Sequence, residues 1–118
     1  MTFRSKVDSI CVTFPGALAS DPASGDLDSW KVGGKMFACF GDKLDGVAVK
    51  TPSVETAAML IDAGVGFKAP YFHKSWIRVS DSIEDDELTH RLGVSYDEVR
   101  SKLTKKAQAA LAPREEAL

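Results

Sequence analysis

The chain predicts an α+β domain in two layers, with an antiparallel β-sheet of about four to five strands covered on one face by helices. Three observations carry this reading. The runs Met36–Phe40, Val47–Lys50 and Trp76–Val79 are short, rich in aromatic and β-branched residues, and bounded by Gly, Asp or Ser, as strands are. Between the first two runs, Gly41 to Gly46 supplies the Gly and Asp turn chemistry of a hairpin. Helical periodicity appears at both ends of the chain and once between the second and third runs, so helices flank a meander.

Taken in order, Phe3, Val7, Ile10, Cys11 and Phe14 fall on one stripe of an amphipathic helix over residues 2–13, which Pro15-Gly16 stops. Ala17 to Ser29, with Pro22, Gly25 and three aspartates, has no periodicity and reads as a surface loop. Lys31-Val32 pairs with the strand after Gly34, the two glycines permitting positive φ or a bulge where the chain reverses. Thr51-Pro52 reads as an N-cap and first helical position, and Val54, Ala57, Ala58 and Ile61 form a stripe ending at Gly64. Val65 to His73 is an irregular connection with room for a short extended piece. Two C-terminal helices follow: one over 83–92 opened by Ser82-Ile83-Glu84-Asp85, and one opened by the capping box Ser95-Tyr96-Asp97-Glu98. Tyr96, Val99 and Leu103 share a face of the latter, and Lys102, Lys105 and Lys106 suit its C-terminal dipole. Residues 1–106 are expected to form a single domain and 107–118 a frayed tail.

At 118 residues the chain can bury a core without metal or disulfide staples. With 44% hydrophobic and 27% charged residues, and no apolar run longer than five, it has the composition of a soluble protein, with no membrane span. Asp8 and Ser9 interrupt any signal-peptide core, and Cys11 and Cys39 read as two reduced core thiols. A cytoplasmic location is therefore expected. The net charge of −2 hides a distribution: residues 30–78 carry +3, while both flanks are negative.

No catalytic constellation is visible. Gly33-Gly34-Lys35 could form an anion-binding nest, but it lacks the spacing and the following helix of a nucleotide-binding P-loop and reads as a turn before a strand. His73 and His90 lie in different elements, with neither a serine motif nor a carboxylate partner, and no Cys spacing suggests zinc. No metal, no cofactor and no enzymatic activity are expected. Alternation puts Lys35, Phe37 and Cys39 on one side of their strand. If helices cover a single face, the other would show basic and aromatic residues together, Lys35 with Phe37 or Trp76 with Arg78. That is a platform suited to nucleotides or single strands.

The order helix, meander with Gly34-Lys35-Met36-Phe37-Ala38, helix, Tyr71-Phe72-His73-Lys74 before Trp76, and Ser95-Tyr96 in a terminal helix resembles the MmcQ/YjbR family. The resemblance implies a CyaY-like (frataxin-like) fold and, for its members, a role as DNA-binding proteins through a double-wing arrangement of hairpin loops. Frataxin-like proteins also associate an acidic helix with iron. Here, however, Glu84-Asp85-Asp86-Glu87 is accounted for by the dipole of a helix N-terminus. The expected function is a non-catalytic binding module whose DNA ligand meets Lys31, Lys35, Lys43, Lys50, Lys74 and Arg78. The alternative is a small-ligand or protein-interaction module using Tyr71, His73 and Trp76, the chain being a monomer or weak dimer in either case.

Overall fold

A computed structural model describes residues 2–20, 22–25, 27–41 and 45–112. Helix α1 (Phe3–Cys11) is capped by Thr2, whose side chain accepts from the Ser5 amide. It is followed by β1 (Leu18–Ala19), a 3-10 turn at Pro22–Ser24, β2 (Ser29–Val32), β3 (Lys35–Phe40) and β4 (Gly46–Lys50). Next come α2 (Val54–Asp62), β5 (Phe67–Lys68), β6 (Trp76–Ser80), α3 (Asp85–Ser101) and α4 (Lys105–Ala109). The strands form one antiparallel sheet in the order β1-β2-β3-β4-β6-β5, so the two-layer α+β fold holds, with six strands rather than four or five. The extra strands are the two-residue edges β1 and β5. Both are exposed along their length and carry no alternation that a sequence could display. Among the described residues no helix is long and apolar enough to cross a membrane.

One face of the sheet is core. Val7 and Cys11 of α1, Ala57 and Leu60 of α2, and Leu88, Leu92, Tyr96 and Val99 of α3 pack on Trp30, Val32, Ala38, Val47, Val49, Ile77 and Val79. Phe14, Phe37 and Tyr96 form its aromatic centre, with ring centroids 5.1 to 6.0 Å apart, in tilted and edge-on geometries favourable to the ring quadrupoles. The Tyr96 hydroxyl donates to the Pro15 carbonyl at 2.5 Å, tying the long helix to the turn after α1. Helix α1 is held from its polar side by Arg4, which forms a two-pronged pair with Asp28 and lies 4.7 Å over the Phe40 ring. Asp8 accepts from the Trp30 indole N–H at 2.8 Å.

Several local expectations are corrected. The region 17–29 is not wholly loop, since β1 and the 3-10 turn lie inside it. Helix α2 is capped by Ser53, not Thr51. Thr51 is buried and spends its hydroxyl on the Ser53 and Ser75 carbonyls. The two predicted C-terminal helices are one. Glu84 is its N-cap without a side-chain bond, Ser82 being engaged with Ser80 at 2.6 Å, and no break occurs at Gly93 or Ser95. Lys105 and Lys106 open α4 under a Thr104 cap rather than closing α3, so the helix-dipole argument does not apply to them there. The Arg100 guanidinium, donating to the Gln108 carbonyl, holds α4 against α3, and Leu111 packs on the core.

Ser95 is uninterrupted helix because its hydroxyl has a partner on the sheet. It donates to the Phe37 carbonyl at 2.5 Å and accepts from the Lys50 amide at 2.8 Å, bridging β3 and β4 where their ladder ends at Ala38↔Val49. The ladder ends there because β3 carries a bulge. Trp30 pairs with Ala38 and Lys31 with Met36, leaving Phe37 as the extra residue. The bulge overturns the alternation read from sequence: Phe37 turns into the core beside Tyr96, whereas Cys39 stays on the opposite face.

Three outcomes test this framework. Ser95→Ala strands a buried carbonyl and an amide and is expected to cost about 2–3 kcal/mol in urea unfolding, against less than ~0.5 for Ser101→Ala on the exposed helix end. Both cysteines are free and buried. Burial, reinforced by the negative charge of Asp8, raises the Cys11 thiol, and burial together with Asp28 raises Cys39. Alkylation in the native state at pH 8 is therefore expected to be much slower than in urea, with Cys39 reacting before the more enclosed Cys11. A raised folded-state thiol keeps its stabilising effect below the unfolded thiol range and loses it as pH climbs above that range. Stability should thus fall between pH 7.5 and 10, and fall less in Cys11→Ala.

Candidate binding face

The second face of the sheet has no described helix over it. Register places its side chains in two rows. Leu18, Lys31, Met36, Lys50 and Trp76 form one, and Ser29, Cys39, Ala48, Arg78 and Phe67 the other. Three of the sequence-predicted cations, Lys31, Lys50 and Arg78, therefore share this face. Lys35 does not: it pairs with the core residue Val32 at the exposed end of the β2–β3 hairpin, on the helix side. Lys74 is exposed in the β5–β6 connection, and Lys43 lies outside the described residues. Phe37 is fully buried, so it does not meet Lys35 on this face, whereas Trp76 and Arg78 both lie on it, half-buried.

Two of these cations, Arg78 and Lys50, are positioned by neighbours that can be named residue by residue. Arg78 lies with its guanidinium 5.3 Å over the Phe67 ring and 3.9 Å from the Asp45 carboxylate. Gly46 makes this possible, because a Cβ there would stand 2.7 Å from the arginine's Nη1 and equally close to the Val79 carbonyl. The Lys50 ammonium donates to the Ser75 hydroxyl at 3.1 Å, which leaves two of its three donors for other partners. Ser75 is buried, and its amide and hydroxyl both meet His73 Nδ1, at 3.1 and 2.9 Å, so that ring nitrogen is an acceptor and the proton of neutral His73 sits on Nε2. The Ser75 carbonyl accepts from the Thr51 amide and hydroxyl at 2.8 and 2.7 Å. This network fixes the end of the β5–β6 connection against β4.

That connection rises over the bare face as a wall. Phe72 stacks on Trp76 with centroids 4.8 Å apart and planes 27° from parallel, and its amide closes a turn on the Ala69 carbonyl at 3.1 Å. On one side of the wall is a cleft of about 450 Å³, floored by Cys39, Gly46 and Ala48 and bounded by Pro70, Tyr71 and Phe72, with Arg78 and Asp45 at its margin. On the other is a groove of about 410 Å³ against α2, lined in part by His73, Lys74 and Trp76. The predicted interaction set is thus divided: Tyr71, 95% exposed, rims the first cavity, and His73 and Trp76 line the second.

Sequence reasoning missed Asp45, Gly46, Ala48 and Phe67. A signal existed for two of them, since Gly46 and Ala48 place small residues at i and i+2 and so lower one face of a central strand. Phe67 and Asp45 are assembled only by pairing across β4, β5 and β6. Among the described residues no group of three His, Cys, Asp or Glu side chains could hold a metal ion. Among the described residues His73 meets a serine and, through it, a lysine, but no carboxylate.

Comparison with curated proteins and with solved structures returns no match. The model of the YjbR family matches residues 12–98, a span that begins at the end of α1 and runs through the Ser95 bridge. With that match over most of its length, the chain belongs to the YjbR family.

Proposed function

We propose that this YjbR-family chain is a non-catalytic binding module that takes single-stranded nucleic acid, DNA in the first instance, on the bare face of its sheet. The observation that carries the reading is the shared placement of Lys31, Lys50 and Arg78 in two adjacent rows, interleaved with the flat side chains of Trp76 and Phe67. Cations supply phosphate contacts without sequence preference, and aromatic faces stack bases of any identity, which is how single strands are held. The three cations are half-buried and separated by Met36, Cys39 and Ala48. This suits a flexible strand laid along the sheet better than the dense phosphate array of a duplex. With a net charge of −2, the affinity must come from this local surface.

The second reading is a small-ligand module with no nucleic-acid role. The mainly apolar cleft beside Arg78 favours it, being of the size that small-molecule sites commonly have.

Three phosphate contacts predict a slope of roughly −2 for log K against log salt on a single strand, so affinity should fall about twenty-fold between 50 and 200 mM salt. Lys31→Ala and Arg78→Gln should each reduce that slope by ~0.7. Fluorescence anisotropy with a labelled oligodeoxynucleotide measures both. Absence of binding at low salt, or binding indifferent to salt, sinks the nucleic-acid reading.

A further inference from the structure

The cleft on the bare face has a composition that neither a simple anion nor an aliphatic ligand would use fully. Its floor is low because Gly46 and Ala48 stand side by side along β4 with Cys39 opposite Ala48. Its wall is preformed, held by the Phe72–Trp76 stack and by the Thr51, Ser75 and His73 hydrogen bonds at its base. At the margin Arg78 offers a fixed cation, one face of its guanidinium taken by Phe67, and Asp45 offers an acceptor beside it. Tyr71 stands almost fully exposed at the rim. A flat ring carrying N–H donors, joined to an anionic group, satisfies all of these at once. The ring meets apolar walls, its N–H groups meet a carboxylate, and its anion meets the guanidinium.

We propose that this cleft receives one nucleobase of the bound strand, with the adjoining phosphate contacted by Arg78. The assignment rests on the nucleic-acid reading above and deepens it. The strand is held in two ways, by phosphates across the rows of Lys31 and Lys50 and by one base turned into the cleft. A base turned out of a single strand costs little unstacking and gains an enclosed apolar surface, so the cleft favours a strand with bases over a bare sugar-phosphate chain.

The test compares a hexadeoxynucleotide with a hexamer of abasic residues, each titrated by anisotropy, and adds a nucleoside monophosphate followed by Trp fluorescence. The base-bearing hexamer is expected to bind about ten-fold or more tightly than the abasic one. Ala48→Leu, which fills the floor, should lower its affinity to the abasic level. Tyr71→Ala, at an exposed rim position that cannot unfold the domain, should lower it in the same direction and serves the comparison if Ala48→Leu melts early. Equal, salt-dependent binding of both hexamers overturns the base cleft and base stacking, and leaves the nucleic-acid reading standing on phosphate contacts alone. Binding of the monophosphate, abolished by Ala48→Leu, with neither hexamer bound, supports the cleft as a nucleotide site and overturns the strand reading. No binding of any probe overturns both.

Discussion

The Ser95 hydroxyl is the point on which the rest of the structure depends. It sits in the middle of the longest helix and reaches the sheet where the β3–β4 ladder stops, satisfying the Phe37 carbonyl and the Lys50 amide together. The carbonyl is buried and the amide partly so, and leaving either unpaired would be costly. The bridge therefore fixes both the rotation and the height of α3. Leu92, Tyr96 and Val99 face the core as a consequence, and the Tyr96 hydroxyl then reaches Pro15 to bring the first helix into the same layer. Because α1 and α3 are both locked to one face of the sheet, the other face is left bare.

The bulge at Phe37 and the Ser95 bridge are two aspects of one arrangement. Inserting a residue into β3 turns Phe37 inward, completes the aromatic centre with Phe14 and Tyr96, and breaks the ladder that Ser95 repairs. It also keeps a large ring off the bare face, whose centre is then Cys39 and Ala48. Small residues at the centre and aromatic residues at the margin make a concave surface. Gly46 extends the same logic, since a Cβ there would stand 2.7 Å from both the Val79 carbonyl and the Arg78 guanidinium.

Polar contacts around this frame position rather than stabilise. The Arg4–Asp28 and Lys6–Asp85 pairs are partly solvent-exposed and worth at most about 1 kcal/mol each, yet the first ties α1 to the entry of β2 and the second to the start of α3. The Lys50–Ser75–His73 chain likewise adds little energy but holds the wall of the cleft at a set distance from β4. A face built in this way is preformed, so a ligand of the proposed kind would not have to meet the cost of ordering it.

Much of the fold was legible in the residues themselves. The three main strands, the helices over 3–11 and 54–62, and the hairpin at Gly33-Gly34 follow from periodicity and turn chemistry. These are local properties, and the observed φ of +58° and +80° at the two glycines is what such a turn requires. The presence of Lys31, Lys50 and Arg78 on one bare face was legible in part, because alternation gives each strand two sides. What alternation could not show was the bulge, which moved Phe37 to the core and separated Lys35 from the face. Nor could capping patterns show that Ser95 would spend its hydroxyl on the sheet. Ser-x-x-Glu is a helix start when the hydroxyl has only its own amides to serve, and a buried carbonyl 58 residues away in the chain competes for it only once the layers meet. The sequence by itself determined the main strands, the first two helices and which residues are cationic or flat. The tertiary structure alone decided which of them stand together, because register, bulge and the hydrogen-bond needs of buried backbone are settled between elements rather than within them.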